Sequence, residues 1–429
     1  MPTNQPFTLP TNQPASKRFT IVVLVNLVYF EVGLMVSIIG ALIPDIIKAY
    51  GLSYSGAATL PVAYYVSFGL FAIPSGIVIE KFTYKKLLLF SYATAIIGII
   101  LFAFFRNYYS SIISLFIIGC ALTLAQVLAF PLLRESVGAR KLPFHSTLNT
   151  LLYGVGAFLS PYFYTLVIRG IANSSQDFPF NILHFLSRNS FPWAAIYWIF
   201  LALFLVTTLI IIVVKFPPVH LRETEKIGNL SSFKALLSKR HIYFYFFTLF
   251  AYAACEQGVS NWITQFLDTY HSVDPQTSGS FILSLYWLLF ALGCMLGMVL
   301  LKYFETLNIL LVFTLCAMIS FCLAIFGSRE LALWCFPLTG LFHSVMWPLI
   351  LSLGINSVKK HHGSLSGLLF AASCGGAFGP MMVGRLGDLF GLRWGLFFLM
   401  ICYSAVAGVY FWSRGNNYHE LETDKLVAV

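Results

Sequence analysis

Long uncharged apolar runs recur along this chain from near Phe19 to near Trp412, and they constrain its fold more than any other feature. A helix that crosses a membrane needs about 20 consecutive, mostly apolar residues. Twelve runs have about that length. They cover residues 19–44, 57–80, 85–106, 110–133, 146–168, 193–215, 242–267, 279–303, 308–327, 331–356, 364–387 and 393–413. The runs predict an all-α polytopic membrane protein with twelve transmembrane helices.

Composition argues against the soluble classes of protein. Only 10% of the 429 residues are charged, whereas soluble domains carry about 25%. The net charge of +10 would suit a nucleic-acid binder, but the basic residues fall in short gaps between the apolar runs. All eight cysteines lie inside apolar runs, which disfavours a disulfide framework or a zinc site. Cofactor motifs such as a P-loop are absent from the sequence, so we predict no cofactor and no metal ion.

The gaps between the runs predict how the chain is divided. Two gaps are longer than the others, residues 169–192 and 216–241, and the second separates six runs from six. The sequence therefore predicts two six-helix halves joined by a solvated linker. The predicted segments are an N-terminal tail 1–18, a half 19–215, a linker 216–241, a half 242–414 and a C-terminal tail 415–429.

The lysines and arginines predict the orientation in the membrane. With the N-terminus in the cytoplasm, 19 of the 26 basic residues fall in inside segments and seven in outside segments. Cytoplasmic loops of membrane proteins carry an excess of Lys and Arg. Both termini are therefore predicted to be cytoplasmic.

Two carboxylates fall in the middle of predicted spans, although such a charge costs about 2.5–3.5 kcal/mol in hydrocarbon. Glu31 and Glu256 each begin a Glu-x-Gly motif near the middle of the first span of a half. A carboxyl that alternates between neutral and charged forms could couple proton movement to transport. The alternative is a permanently protonated or inter-helix hydrogen-bonded glutamate. His343 is the only histidine well inside a span and is a third proton-coupling candidate; its alternative is a neutral packing role.

Amide and aromatic side chains inside the spans form a set of candidate substrate-binding residues. Amides hydrogen-bond hydroxyl groups, and flat rings stack on the C–H face of a sugar. The alternatives are interfacial aromatic belts and hydrogen bonds between helices. The candidates are Asn26, Tyr29, Gln126, Asn149, Tyr153, Gln257, Asn261, Trp262, Trp287 and Trp347; Tyr64 and Tyr65 accompany them in the second span.

A second repeat predicts a gate. Gly76-x-x-x-Glu80 ends the second span and Gly384-x-x-x-Asp388 ends the eleventh. We predict that Glu80, Lys81, Lys85 and Asp388 form a gate or an inter-helix brace, and the alternative for the basic residues is ordinary charge on the cytoplasmic side.

Several motifs resemble those of a known family. Residues Gly76–Lys81 and Ile73–Ile77 of the second span, and Gly340–Pro348 followed by Ser352–Gly354 in the tenth, resemble the major facilitator superfamily and, more narrowly, its fucose–galactose–glucose:proton symporter family. The resemblance implies an alternating-access fold, proton symport of a sugar, no cofactor, a monomer and the bacterial inner membrane. The chain departs from the family where Ile39-Gly40 replaces an Asn-Asp pair and Cys294 replaces an arginine.

The sequence thus predicts a secondary active transporter that imports a small polar solute, most simply a monosaccharide or sugar derivative, together with protons. The alternatives among transporters are a sodium-coupled or uncoupled carrier and an exporter of amphipathic compounds. From other classes, a membrane-embedded acyltransferase would use His343 beside an acid, and a sensor would bind solute without moving it.

Overall fold

The computed structural model describes residues 15–79, 81–105, 107–137, 142–173, 178–187, 191–216, 236, 238–358 and 362–415. The regular elements of this part are helical. In chain order they are α1 (Ala15–Tyr50), α2 (Tyr54–Ile79), α3 (Tyr84–Phe104), α4 (Tyr108–Val137), α5 (Leu142–Asn173), α6 (Phe180–Leu186), α7 (Ile196–Val213), α8 (Arg240–Ser260), α9 (Ile263–His271), α10 (Ser280–Leu300), α11 (Thr306–Phe326), α12 (Arg329–His343), α13 (Met346–Asn356), α14 (His362–Ala371), α15 (Gly375–Phe390), α16 (Leu392–Phe397) and α17 (Leu399–Gly415). Short helical turns at Pro192–Ala195, Pro275–Gly279 and Ala372–Cys374 complete the set.

The all-α membrane fold is confirmed, but the twelve spans are not all single helices. Among the described residues, eleven helical stretches are long and apolar enough to cross a membrane. The predicted span 242–267 is not among these eleven and is divided between α8 and α9 at Asn261 and Trp262; the predicted spans 331–356, 364–387 and 393–413 are divided into two helices as well. The amide Nδ2 of Asn261 donates to the carbonyl oxygen of Gln257 at 2.8 Å, and such bonds between an asparagine side chain and the backbone compete with regular helix.

Two glycines allow sharp reversals between neighbouring spans. Gly51 follows α1 with φ of +62°, and Gly391 separates α15 from α16 with φ of +87°. A residue with a Cβ is strained at such angles, whereas glycine is not. Consecutive spans can therefore follow one another with very short connections.

The helices pack as two groups, which we call the N-terminal half (residues 15–216) and the C-terminal half (residues 238–415). In the N-terminal half α1 packs against α5, and α4 packs against α2 and α3. In the C-terminal half α12 packs against α10 and α11, and α8 packs against α15 and α17. The halves meet where α2 packs against α14 and α15, α5 against α10, and α1 against α9.

We call the side of the molecule where α1 begins and α17 ends the terminal face, and the opposite side the distal face. Most of the predicted linker 216–241 and nearly all of the two predicted tails lie outside the described residues. The division of the chain at this linker stays a prediction.

Candidate functional site

Four predicted site residues meet where the two halves are in contact. Tyr153 comes from α5, Glu256 and Gln257 from α8, and Trp287 from α10. The Tyr153 and Trp287 rings pack edge to face with centroids 5.7 Å apart, and the Tyr153 and Gln257 side chains share a hydrogen bond. Nε2 of Gln257 donates to Oε1 of Glu256 at 3.3 Å. The structure thus places a carboxylate, an amide and two aromatic rings together between the halves.

Tyrosines complete this group, which we call the Glu256 cluster: Tyr65, Tyr153, Glu256, Gln257, Tyr286 and Trp287. Tyr65 and Tyr286 both lie within electrostatic range of the Glu256 carboxylate. The Tyr65 ring lies over Gly376 of α15, where a Cβ would come within 2.8 Å of the ring. Tyr286 was not predicted as a site residue. Aromatic residues make up 17% of the chain, so one more tyrosine in a span does not stand out from the others.

Two polar atoms of the Glu256 cluster have no hydrogen-bond partner in the described part of the chain. They are the hydroxyl of Tyr65 and Nε1 of Trp287, and both are buried. Buried polar groups are nearly always hydrogen-bonded in folded proteins. These two unpartnered atoms lie where the two halves meet, so they are candidate contacts for a ligand.

Four further candidates lie in the N-terminal half. Asn149 precedes Tyr153 by one helical turn, so the two share a face of α5. Oδ1 of Asn149 and Oδ1 of Asn26 are buried and have no hydrogen-bond partner among the described residues. Tyr29 and Gln126 are half-buried on α1 and α4.

Glu31 lies in a different environment from Glu256. It is completely buried, Tyr92 of α3 donates to its Oε2 at 2.5 Å, and Thr207 of α7 donates to its Oε1 at 2.5 Å. Both carboxyl oxygens are thus bound inside the N-terminal half, by residues that are not members of the Glu256 cluster. The Glu-x-Gly repeat predicts the same role for the two glutamates, but their hydrogen-bond partners in the structure are different.

His343 lies behind the Glu256 cluster in the C-terminal half. Its Nδ1 is 2.6 Å from the Tyr286 hydroxyl and its Nε2 is 2.6 Å from the Tyr403 hydroxyl, while Tyr252 donates to its carbonyl oxygen at 2.9 Å. A neutral imidazole has one donor and one acceptor nitrogen, so one tyrosine donates and the other accepts. Tyr252 also shares a hydrogen bond with the Glu256 carboxyl group, so it links the histidine backbone to that glutamate. The predicted residue Trp347 packs against Tyr252, with ring centroids 6.1 Å apart.

The remaining predicted binding residues, Asn261 and Trp262, lie at the break between α8 and α9. Nε1 of Trp262 donates to the Pro380 carbonyl at 3.2 Å. On the same side of the break, Oγ1 of Thr264 donates to the carbonyl oxygen of Gly40 in α1 at 2.6 Å. A Cβ on Gly40 would come within 2.5 Å of the Ser260 carbonyl oxygen, so glycine is what permits this close approach between the halves.

Hydrogen bonds join the halves at the distal face. The carboxylate of Asp388 on α15 accepts from the backbone N–H groups of Tyr54 at 2.8 Å and Ser55 at 2.9 Å, and from the Ser55 hydroxyl. The carboxylate of Asp45 on α1 accepts from Nε2 of Gln276 at 2.6 Å. We call these two groups the distal contacts.

Lys81 and Lys85, two other predicted gate residues, are not brought together with Asp388. Nζ of Lys85 donates to the Ile212 carbonyl at 2.5 Å and so braces α3 against the end of α7. Lys81 is exposed on the terminal side of α2. Glu80 lies outside the described residues.

The comparison with known families decides the classification. Residues 25–380 match the family described as the Major Facilitator Superfamily. The chain belongs to the major facilitator superfamily. The members of this superfamily are transporters. The membership therefore argues against a membrane-embedded enzyme.

Named relatives cover nearly the whole facilitator. The glucose/galactose transporter of Brucella abortus is 25% identical to it over 420 residues, which is 95% of this chain and 97% of the relative. The L-fucose-proton symporter of Escherichia coli is 24% identical over 369 residues, 82% of this chain and 83% of the relative.

Solved structures give the same fold. The fucose:proton symporter of Escherichia coli superposes with a TM-score of 0.66 at 20% identity over 91% of this chain and 98% of that one. A bacterial homologue of the human lysosomal transporter Spinster superposes with a TM-score of 0.75 at 15% identity over 94% of this chain and 98% of that one.

Proposed function

We propose that this facilitator imports a neutral monosaccharide or sugar derivative in symport with protons, by alternating access. The observation that carries the proposal is the Glu256 cluster, in which one carboxylate lies among tyrosines, an amide and a tryptophan contributed by both halves. Relatives named as glucose/galactose and fucose–proton transporters support a sugar as the solute.

The cluster suits a solute with hydroxyl groups and no charge. The free hydroxyl of Tyr65, the free Nε1 of Trp287 and the free Oδ1 of Asn149 offer two donors and an acceptor. The rings of Tyr153 and Trp287 offer apolar faces to the C–H groups of a sugar. These groups come from both halves, so a bound sugar would contact both of them. Its binding could therefore be coupled to the rearrangement of the halves in an alternating-access cycle.

Glu256 is our proton-coupling residue. A protonated carboxyl is neutral and can pass through a closed intermediate that excludes water, whereas a charged and unpaired one resists that state. Glu31 remains a predicted coupling residue, but its bonds to Tyr92 and Thr207 favour a role in holding α1, α3 and α7 together. His343 would act through Tyr286, whose hydroxyl contacts Nδ1 of the histidine and which lies within electrostatic range of Glu256.

The distal contacts serve as the outer gate in this proposal. With both termini in the cytoplasm, the distal face is periplasmic, and Asp388 and Asp45 hold that side closed. Opening to the periplasm would break these contacts, and Lys81 and Lys85 with Glu80 would act at the opposite face. The protein would work as a monomer in the cell inner membrane, with the proton gradient in place of a cofactor.

Uptake by purified protein in proteoliposomes tests the proposal. Radiolabelled glucose, galactose and fucose are each supplied under an inward proton gradient, an inward sodium gradient or neither. We expect accumulation of at least one sugar under the proton gradient alone. Accumulation that follows sodium would contradict proton coupling, and equilibration without accumulation under either gradient would indicate an uncoupled carrier. Absence of any sugar movement, with efflux of amphipathic compounds, would contradict the substrate class.

A further inference from the structure

An apolar groove lies on the outer surface of the C-terminal half between α11 and α17. Its volume is about 550 Å³, within the range of small-molecule sites. Ile319, Cys322, Leu323 and Phe326 line it from α11, Gly327 lines it directly after that helix, and Met400 lines it from α17. Sγ of Cys322 and Sδ of Met400 are 3.7 Å apart, so the two helices are in contact beneath the groove.

The lining of the groove is apolar, which suits an aliphatic chain. An empty recess has no partner atoms for its lining, so the lining loses dispersion contacts. Ile319 is 61% exposed on the groove side of α11, and among the described residues no charged side chain lines the groove. An aliphatic chain fits this lining, whereas a polar solute would lose its hydrogen bonds to water.

Positive charge lies beyond the distal end of the groove. Arg329 comes two residues after the groove residue Gly327, and Arg393 lies at the start of α16. Both act electrostatically on His271 at the end of α9, so the two arginines converge on one region. The Arg393 guanidinium lies 4.6 Å from the centroid of the Tyr270 ring, and its Nε is buried without a hydrogen-bond partner.

Aromatic side chains set the depth of this region. Trp394 is 55% exposed, and its ring packs edge to face with the groove residue Phe326 at 5.8 Å. Tryptophan is enriched at the level of the lipid headgroups. The arginines therefore lie at headgroup depth, directly beyond a groove that suits an acyl chain. Glu330 lies beside Arg329 in the first turn of α12, and Asp268 and Asp274 lie within three residues of His271, so acidic side chains partly offset the charge of the arginines.

We propose that the groove and the arginine pair form a binding site for an anionic phospholipid of the distal leaflet. One acyl chain occupies the groove between α11 and α17, and the phosphate and the headgroup charge bind Arg329 and Arg393. Bound lipid would support α17, which carries Tyr403, a partner of His343.

The headgroup part is tested by the thermal stability of the purified full chain in detergent. We compare added phosphatidylglycerol, phosphatidylcholine and inorganic phosphate. Wild type is expected to gain several degrees more from phosphatidylglycerol than from phosphatidylcholine, and nothing from phosphate. Arg329→Gln and Arg393→Gln should each reduce that difference, while Arg385→Gln, an exposed arginine of α15, should keep it. Equal stabilisation by both lipids, or the same gain from phosphate alone, would overturn the proposal.

The groove part is tested by filling it. Ile319→Trp places a large ring in the groove, whereas Val312→Trp places the same ring on an exposed part of α11 outside it. Native mass spectrometry in phosphatidylglycerol should show lipid retained on wild type and on Val312→Trp, and at least tenfold less on Ile319→Trp. Equal retention on the two tryptophan variants would show that the chain lies elsewhere. If Ile319→Trp does not fold, Leu323→Trp, a second groove substitution, decides the same question.

Discussion

At the scale of single residues, hydrogen-bond partners separate two glutamates that the sequence treats alike. Glu31 has a hydroxyl donor on each carboxyl oxygen, from Tyr92 and Thr207. Glu256 has Tyr252 and Gln257 as partners from its own helix and faces residues of the other half. A carboxyl held from two neighbouring helices braces them, whereas one at a contact between moving halves changes its surroundings as they move.

The bracing role of Glu31 is tested at Thr207. Thr207→Val keeps the shape of the side chain and leaves a buried carboxyl oxygen without its donor, which costs about 1–3 kcal/mol of stability. We expect a clear fall in the melting temperature of the purified protein. Thr208→Val is the matched control, because the Thr208 hydroxyl bonds only to the Phe204 carbonyl of its own helix. An equal effect of the two substitutions would contradict the brace.

The free hydroxyl of Tyr65 predicts a contribution to solute binding. Tyr65→Phe removes one neutral hydrogen bond, worth about 0.5–1.5 kcal/mol, so KM for sugar should rise roughly 2- to 12-fold with little change in maximal rate. Tyr197 also has a buried, unpartnered hydroxyl, but its ring stacks on Phe102 within the N-terminal half. Tyr197→Phe should leave KM unchanged, and a parallel rise in both variants would remove Tyr65 from the site.

At the scale of helices, close approaches and capping groups hold the distal ends of the halves together. Gly40 lets α1 touch the break between α8 and α9, and Asp388 of α15 accepts from the first N–H groups of α2. The first N–H groups of a helix have no partner within the helix and favour a negative charge. Each of these contacts would be lost if the halves separated at the distal face.

The glycine contact predicts a wedge effect. A side chain at position 40 would collide with the Ser260 carbonyl, so Gly40→Leu should shift the facilitator away from this distally closed conformation. Electron–electron resonance distances between spin labels at Tyr109→Cys and Leu389→Cys, exposed distal positions of opposite halves, report the change. Gly408→Leu is the control, because nothing lies within 4 Å of a Cβ there. Unchanged distances in Gly40→Leu would contradict the wedge.

The Asp388 contact predicts a charge effect with the same labels. Asp388→Asn removes the negative charge that faces the first turn of α2, and a longer distal distance should appear in part of the population. Glu330→Gln is the control, because it removes an exposed negative charge in the first turn of α12, which takes no part in the distal contacts. If both variants keep the wild-type distribution, Asp388 does not hold the distal gate.

At the scale of the whole molecule, the sequence predicted most of the fold and less of the site. The apolar runs predict the spans because a helix that crosses a membrane must have both a minimum length and an apolar composition. The helix break at Asn261 could not be predicted in this way. The hydrogen bond from the Asn261 side chain to the Gln257 carbonyl has no effect on the mean hydropathy of the run. The sequence also could not assign partners: the hydroxyls beside Glu31 come from α3 and α7, and Tyr286 reaches Glu256 only through helix packing.

The central claim is that Glu256 couples sugar movement to protons. The most direct measurement compares Glu256→Gln with wild type in proteoliposomes, for accumulation under a proton gradient and for exchange of labelled against unlabelled sugar. Glu305→Gln, a surface acid paired with Arg414 at 3.4 Å, is the control. We expect Glu256→Gln to exchange sugar but to lose accumulation and sugar-induced proton uptake, while the control keeps all three. Accumulation by Glu256→Gln with the pH dependence of wild type would contradict the account.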